Sequence, residues 1–262
     1  MEREIIRRHF ESIGARVQFR TLDIERGRRW VHTPEPLRID ILHDTHGAIF
    51  DIARARRTGP ELDVLQTRPK ERHLLLYSRA GERFLCGHDE RDWFVAVVPK
   101  RVSTVRDAKQ ALMPPEVWEV ARKLPPSATG NRKNPVFIRQ GEWFFVPIDR
   151  SFPEELILKN EPLQRTAGSK PHVCEELYRE NGELRYIVRG RAYSQEEYRQ
   201  RKLEDKYFAP WGAQMRLMNP DIYARGYVRH ADHSTVHLKG WHRVYINAEV
   251  SILQTQSIGW LD

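Results

Sequence analysis

The chain has 262 residues, enough for one large domain or two modest ones, each with a substantial core. With 40% hydrophobic and 31% charged residues it has the composition of a folded globular chain, and no apolar run approaches the ~20 residues of a membrane helix. Two cysteines, Cys86 and Cys174, exclude a disulfide framework and a zinc site built on thiolates alone. Lys and Arg outnumber Asp and Glu by 44 to 36, a formal charge of +8, and 34 of those 44 cations are arginine. Guanidinium forks match phosphate oxygens in pairs and stack on bases, so this excess favours a polyanionic partner. A similar excess also occurs in proteins that touch no polyanion.

In chain order, Ile6, Phe10 and Ile13 recur at helical spacing and Gly14 stands at the C-cap position, which predicts a short amphipathic helix. The segment Met1–Arg8 lacks the continuous apolar stretch of a secretory signal, so a cytoplasmic location is expected. From Ala15 the period changes to two through Val17, Phe19, Leu37, Ile39 and Ile41, and the run His43–Gly47 predicts a hairpin with Ala48–Ile52. Residues 53–60 read as a basic loop, followed by a strand at Leu62–Leu65. A meander is expected over His73–Arg79, Glu82–Cys86 and Asp92–Val98. The last of these is apolar on both faces, and is therefore expected to be a central strand with Trp93, Val95 and Val97 buried. Two short helices follow, one opened by Ser103 or Thr104 and one by Pro114–Pro115.

The proline-rich connector 125–135 marks the expected boundary between an N-terminal lobe, 1–125, and a C-terminal lobe, 126–262. In the second lobe, hairpins are expected at Gln140–Gly141, at Asn181–Gly182 and at Lys239–Gly240, and Ser194–Glu197 has the spacing of a capping box. Together these elements define an α+β protein, mainly antiparallel hairpins and meanders with a few peripheral helices.

Four of the eleven histidines fall between His230 and His242. Imidazole binds metals and moves protons near neutral pH, so this run is where chemistry is expected. A two-residue turn at Lys239–Gly240 would pair His237 with His242 about 5 Å apart, and place His233 on the same face about 13 Å along the strand. His237 and His242, with His233 joining through a bulge, are therefore the catalytic candidates. One imidazole would accept a 2′-hydroxyl proton and the other protonate the leaving oxygen, beside an arginine that neutralises the phosphate. His230 and Asp232 are expected at the other end of that hairpin. A metal would need further ligands from Cys86, His88 and Asp89, from His172, Cys174 and Glu175, or from Asp40, His43 and His46. None of these sets has a signature spacing, so no metal and no cofactor is assigned.

No GxGxxG, P-loop or GxSxG motif is present, and Asp40, Asp51 and Asp63 lack the Glu-x-Lys strand end of magnesium-dependent nucleases. The function expected is nucleic-acid binding, with RNA preferred, by an Arg-rich surface on an aromatic-bearing antiparallel sheet. Arg54, Arg56, Arg57, Arg132, Lys133 and Arg243 are its expected phosphate contacts. A phosphodiester hydrolase using His237 and His242, with or without a divalent metal, is the second reading. A module binding another protein through exposed Trp and Tyr is the third.

Overall fold

The computed structural model describes residues 2–22, 36–89, 92–129, 131–164 and 170–249. It is an α+β fold of mainly antiparallel sheets, and it divides into two compact units, one of residues 2–134 with 247–249 and one of residues 135–246. Among the described residues no helix is long and apolar enough to cross a membrane.

In the first unit, α1 (Glu2–Ser12) buries Ile6 and Phe10, and Gly14 at φ +77 ends it by donating its N–H to the Glu11 carbonyl. Strands β1 (Val17–Leu22), β2 (Leu37–Asp44) and β3 (Gly47–Ala55) form a three-stranded sheet in the order β1-β3-β2. The β2–β3 hairpin turns at Thr45–His46 and β1 runs parallel to β3, a pairing that strand periodicity alone does not reveal. Strands β4 (Leu62–Arg68), β5 (His73–Ser78), β6 (Arg83–Asp89) and β7 (Asp92–Val98) form a meander in sequential order. The core between the two sheets and α1 joins Phe10, Phe50, Leu74 and Leu76; Trp93, Val95 and Val97, expected to be buried, are only partly so and pack against its margin.

The strand β7 was expected at the centre of its sheet; it is an edge strand. Its second face is nonetheless covered, because Phe94, Ala96 and Val98 pack with Val105 and Ala108 of α2 (Val105–Ala111). An apolar strand needs cover on both faces, and a helix supplies that at an edge as well as at the centre. Thr104 caps α2 by accepting the Asp107 N–H at 3.1 Å, and Pro115 opens α3 (Pro115–Ala121), as their sequences predict. A four-residue helix, α4 (Pro126–Thr129), lies in the connector.

The second unit holds a six-stranded sheet in the order β10-β11-β15-β16-β9-β8, where β8 is Ile138–Gln140, β9 Trp143–Pro147, β10 Leu158–Leu163, β11 His172–Glu180, β15 Asp221–Arg229 and β16 Val236–Ile246. Its core joins Trp143, Phe145, Leu177, Ala224, Val228 and Leu238. A smaller sheet has the order β13-β12-β14, built from β12 (Glu183–Val188), β13 (Arg191–Tyr193) and β14 (Gln214–Met218), with α5 (Gln195–Glu204) beside it. The predicted capping box is formed: Ser194 accepts the Glu197 N–H and Glu197 accepts the Ser194 N–H.

Two predicted hairpins are something else. Asn181–Gly182 does not turn β12 back onto β11. Glu180 pairs with Asp221 and Glu183 with Met218, so one antiparallel ladder continues in the same register from the large sheet into the small one. Asn181 (φ +59), Gly182 (φ +90) and Asn219 (φ +51) make a bend in that ladder, where the Asn181 amide donates to the Asp221 carboxylate at 2.8 Å. Nor do Lys239–Gly240 turn the chain. They lie inside β16, where pairing with β15 slips between Ala224–His242 and Gly226–Leu238, and Gly240 at φ +78 forms a bulge.

Candidate functional site

That bulge decides the fate of the catalytic pair. His237 and His242 stand on one strand, five residues apart, which places their backbones roughly 15 Å from each other rather than across a ladder. They also face opposite ways. His242 is buried on the side of Val244 and Leu238, with Nδ1 3.0 Å from the Gly240 carbonyl, and burial pushes its pKa down. His237 is exposed and stacks on Tyr227 at 4.6 Å. The expected His237–His242 pair is not formed, because a glycine in a positive-φ conformation serves a bulge as readily as a turn.

The structure assembles a different set. His172, the first residue of β11, is 1% exposed. His230 follows β15, and His233 lies in the loop 230–235 that leads into β16. The rings stack, with centroids 4.1 Å apart for His172–His230, 4.6 Å for His230–His233 and 5.4 Å for His172–His233. One ring nitrogen from each lies within 4.8 Å of the other two.

The surrounding elements hold this arrangement. Gln140, fully buried at the end of β8, donates to the Ser234 carbonyl at 2.6 Å and so ties down the histidine loop. Lys170 binds both carboxylate oxygens of Asp232 at 2.7 Å. The Asp232 N–H donates to His230 Nδ1 at 3.1 Å, and His230 Nε2 lies 3.3 Å from the Lys170 carbonyl. Gly141, at φ +58, lies against the cluster: a Cβ there would meet His233 Nε2 at 2.9 Å and His172 Nε2 at 3.2 Å. Trp143 meets the His172 ring edge-to-face at 6.3 Å.

His172 is chemically exposed to a conflict. Both its nitrogens are buried, and neither has a hydrogen-bond partner among the described residues, a state that costs about 1–3 kcal/mol per group. Burial and the two neighbouring imidazoles push its pKa down to about 3, so it is neutral at ordinary pH with a free lone pair.

The arginines named from sequence separate into two groups. Arg54 lies in β3 and pairs with Glu2 at 2.6 Å, Arg132 with Asp89, and Arg243 with Asp221. Arg56, Arg57 and Lys133 are exposed. The three aspartates considered for magnesium chemistry also bind arginine, Asp40 with Arg38, Asp51 with Arg20 and Asp63 with Arg79.

A second cationic surface was not singled out by sequence. Between residues 189 and 211, Arg189, Arg191, Arg199, Arg201, Lys202 and Lys206 are all exposed, and none forms an ion pair among the described residues. Three of the nearby carboxylates are engaged locally, Glu197 in the capping box, Glu204 with Gln200 and Asp205 with the Tyr207 N–H, and Glu196 is exposed in the first turn of α5. Tyr198 stacks on Tyr186 of β12 at 4.6 Å, and Phe208 packs edge-on to Tyr193 at 5.0 Å, which docks α5 and its following loop. Outside this docking layer stand Trp211 at 98% exposure, Leu203 at 89% and Tyr207 at 66%. A helix with no buried residue, carrying exposed cations and followed by exposed aromatics, has a signal that apolar periodicity does not detect.

No protein-family model matches the chain, and no curated protein or solved structure matches it.

Proposed function

We propose that the protein binds single-stranded nucleic acid, RNA in preference to DNA, through the surface of residues 189–211. The observation that carries this reading is the coincidence of six exposed cations lacking carboxylate partners with the exposed rings of Trp211 and Tyr207. Elsewhere in the protein many arginines sit on carboxylates, which cancels their charge towards a phosphate. Here the charge is left for a polyanion. Single strands offer both things this surface can use: a phosphate at each nucleotide for the cations and an unstacked base face for the rings. Arg56, Arg57 and Lys133, exposed in the first unit, are further phosphate contacts in this reading.

The test is fluorescence anisotropy with mixed-sequence single-stranded RNA, single-stranded DNA and duplex DNA over a salt series. Affinity for the single strands should fall linearly in log–log form, with a slope of about −0.7 per phosphate neutralised. Trp211→Ala and Tyr207→Ala should each weaken binding by about 1–3 kcal/mol, as loss of one stacked base does. Absence of binding at low salt would overturn the reading, and Trp211, Leu203 and Tyr207 would then mark a contact for another protein.

A further inference from the structure

Three imidazoles share one small volume although their residues come from two separate parts of the chain, 58 and 61 residues apart in sequence. Packing alone gives little reason for this, because an imidazole carries a donor and an acceptor that a core must satisfy. His172 leaves both unsatisfied at 1% exposure. A cation that accepts the lone pair of one ring nitrogen would relieve this, and a metal ion is such a cation.

We propose that His172, His230 and His233 form a three-nitrogen site for a divalent transition-metal ion such as zinc. This goes beyond the nucleic-acid reading and does not depend on it. Four features of the structure converge on it. One nitrogen from each ring already lies within 4.8 Å of the others, and rotation of the stacked rings to aim these nitrogens at one point is the change needed for zinc, which holds imidazole nitrogen at ~2.0–2.1 Å. His172 Nε2 and His233 Nε2 both face the Cα of Gly141, and the side chain that any other residue would place there, 2.9 Å and 3.2 Å from these two atoms, is absent. The supporting shell is built: Gln140 fixes the loop through Ser234, and the Lys170–Asp232 ion pair fixes the peptide whose N–H meets His230. Finally, the donor set is all imidazole, which suits zinc, copper, nickel or cobalt and is poor for magnesium or calcium.

The ligand that must adjust is His230. Its Nδ1 accepts the Asp232 N–H and its Nε2 meets the Lys170 carbonyl, so coordination replaces one of those two bonds. Three protein ligands leave a coordination position for water or a substrate oxygen, the arrangement of catalytic rather than structural zinc. Cys174, two residues along β11 from His172, is fully buried in the core of the sheet and is not among the residues whose ligand atoms come together, so it is not counted as a ligand.

The experiment uses the full chain, stripped with a chelator and dialysed. Zinc and cobalt are titrated by calorimetry, bound metal is counted by mass spectrometry, and the visible d–d bands of cobalt report its geometry. One ion per chain with a tetrahedral or five-coordinate cobalt spectrum is expected. His230→Asn and His233→Asn, both in the loop and partly buried, should each weaken zinc by more than the ~10–100-fold that loss of an outer-shell partner costs, and should abolish the cobalt bands. His172→Asn should do the same, with circular dichroism confirming that it folds. His237→Ala, exposed on β16, should bind like the wild type. Absence of stoichiometric binding by the wild type, or binding by His230→Asn and His233→Asn equal to the wild type, would overturn the site.

Discussion

Single side chains in this protein carry consequences that differ with their surroundings. Asp51 is 1% exposed and bound by Arg20 and by Gln18 at 2.8 Å, and these hydrogen bonds hold its carboxyl below the usual range. A carboxyl whose folded pKa lies below its unfolded one adds stability that is present above the unfolded value, about 3.9, and is lost as pH falls through the folded one. Asp51→Asn should therefore cost about 1.5–3 kcal/mol at neutral pH, as loss of a charged hydrogen bond does, and should flatten the fall in stability below pH ~4. Urea unfolding at neutral and acid pH measures both effects; equal loss at all pH values would count against the ion pair. Phe10, with no exposed surface and in contact with Phe50 at 4.8 Å, should cost about 3–5 kcal/mol when changed to Ala. Trp93→Ala should cost less, because part of that ring is already in solvent against Arg72 and His88.

At the scale of elements, the glycines separate a turn from a bulge. Gly240 has φ +78 and open space where a Cβ would be, so Gly240→Ala should cost about 1–2 kcal/mol from backbone strain alone. Gly226, at φ +82, would place a Cβ 2.4 Å from Glu175 Oε2 and disturb the bond from the Tyr227 N–H to that oxygen. Gly226→Ala should therefore be the more damaging of the two, and parallel thermal melts compare them. Helix α2 offers a cleaner case: Thr104→Ala removes the side-chain cap on the Asp107 N–H, leaves the bond from the Val105 N–H to Gln66 Oε1, and should cost about 1 kcal/mol. The start signals of α2, α3 and α5 were legible in sequence because a cap depends on residues three or four positions apart. Asn181–Gly182 and Lys239–Gly240 have the local signature of hairpin turns because positive φ depends on the residue, whereas the partner strand is set by the tertiary fold.

On the scale of the molecule, each unit has its own core, with Phe10, Phe50 and Leu74 in one and Trp143, Leu177 and Val228 in the other. Residues 135–246 produced alone should therefore unfold cooperatively in urea, and a non-cooperative transition would show that the second core is insufficient by itself. The first unit should be more sensitive to truncation at the C-terminal side of the second, because the Ala248 N–H bonds the Leu112 carbonyl and the Val97 N–H bonds Glu249.

The sequence by itself determined the alternating strands, the amphipathic α1, the capped helices and the α+β class, because each rests on interactions between residues close in the chain. It also pointed to the 230–242 histidines as the place for chemistry. Only the tertiary structure decided which of them meet. His172 reaches His230 and His233 because β11 pairs with β15, and that pairing is set by the burial of Cys174, Leu177, Ala224 and Val228 in one core, a long-range condition with no local signature. Because Lys239–Gly240 form a bulge and not a turn, His237 and His242 stay on one strand, and being an odd number of residues apart they alternate to opposite faces, His237 to solvent and His242 into the core.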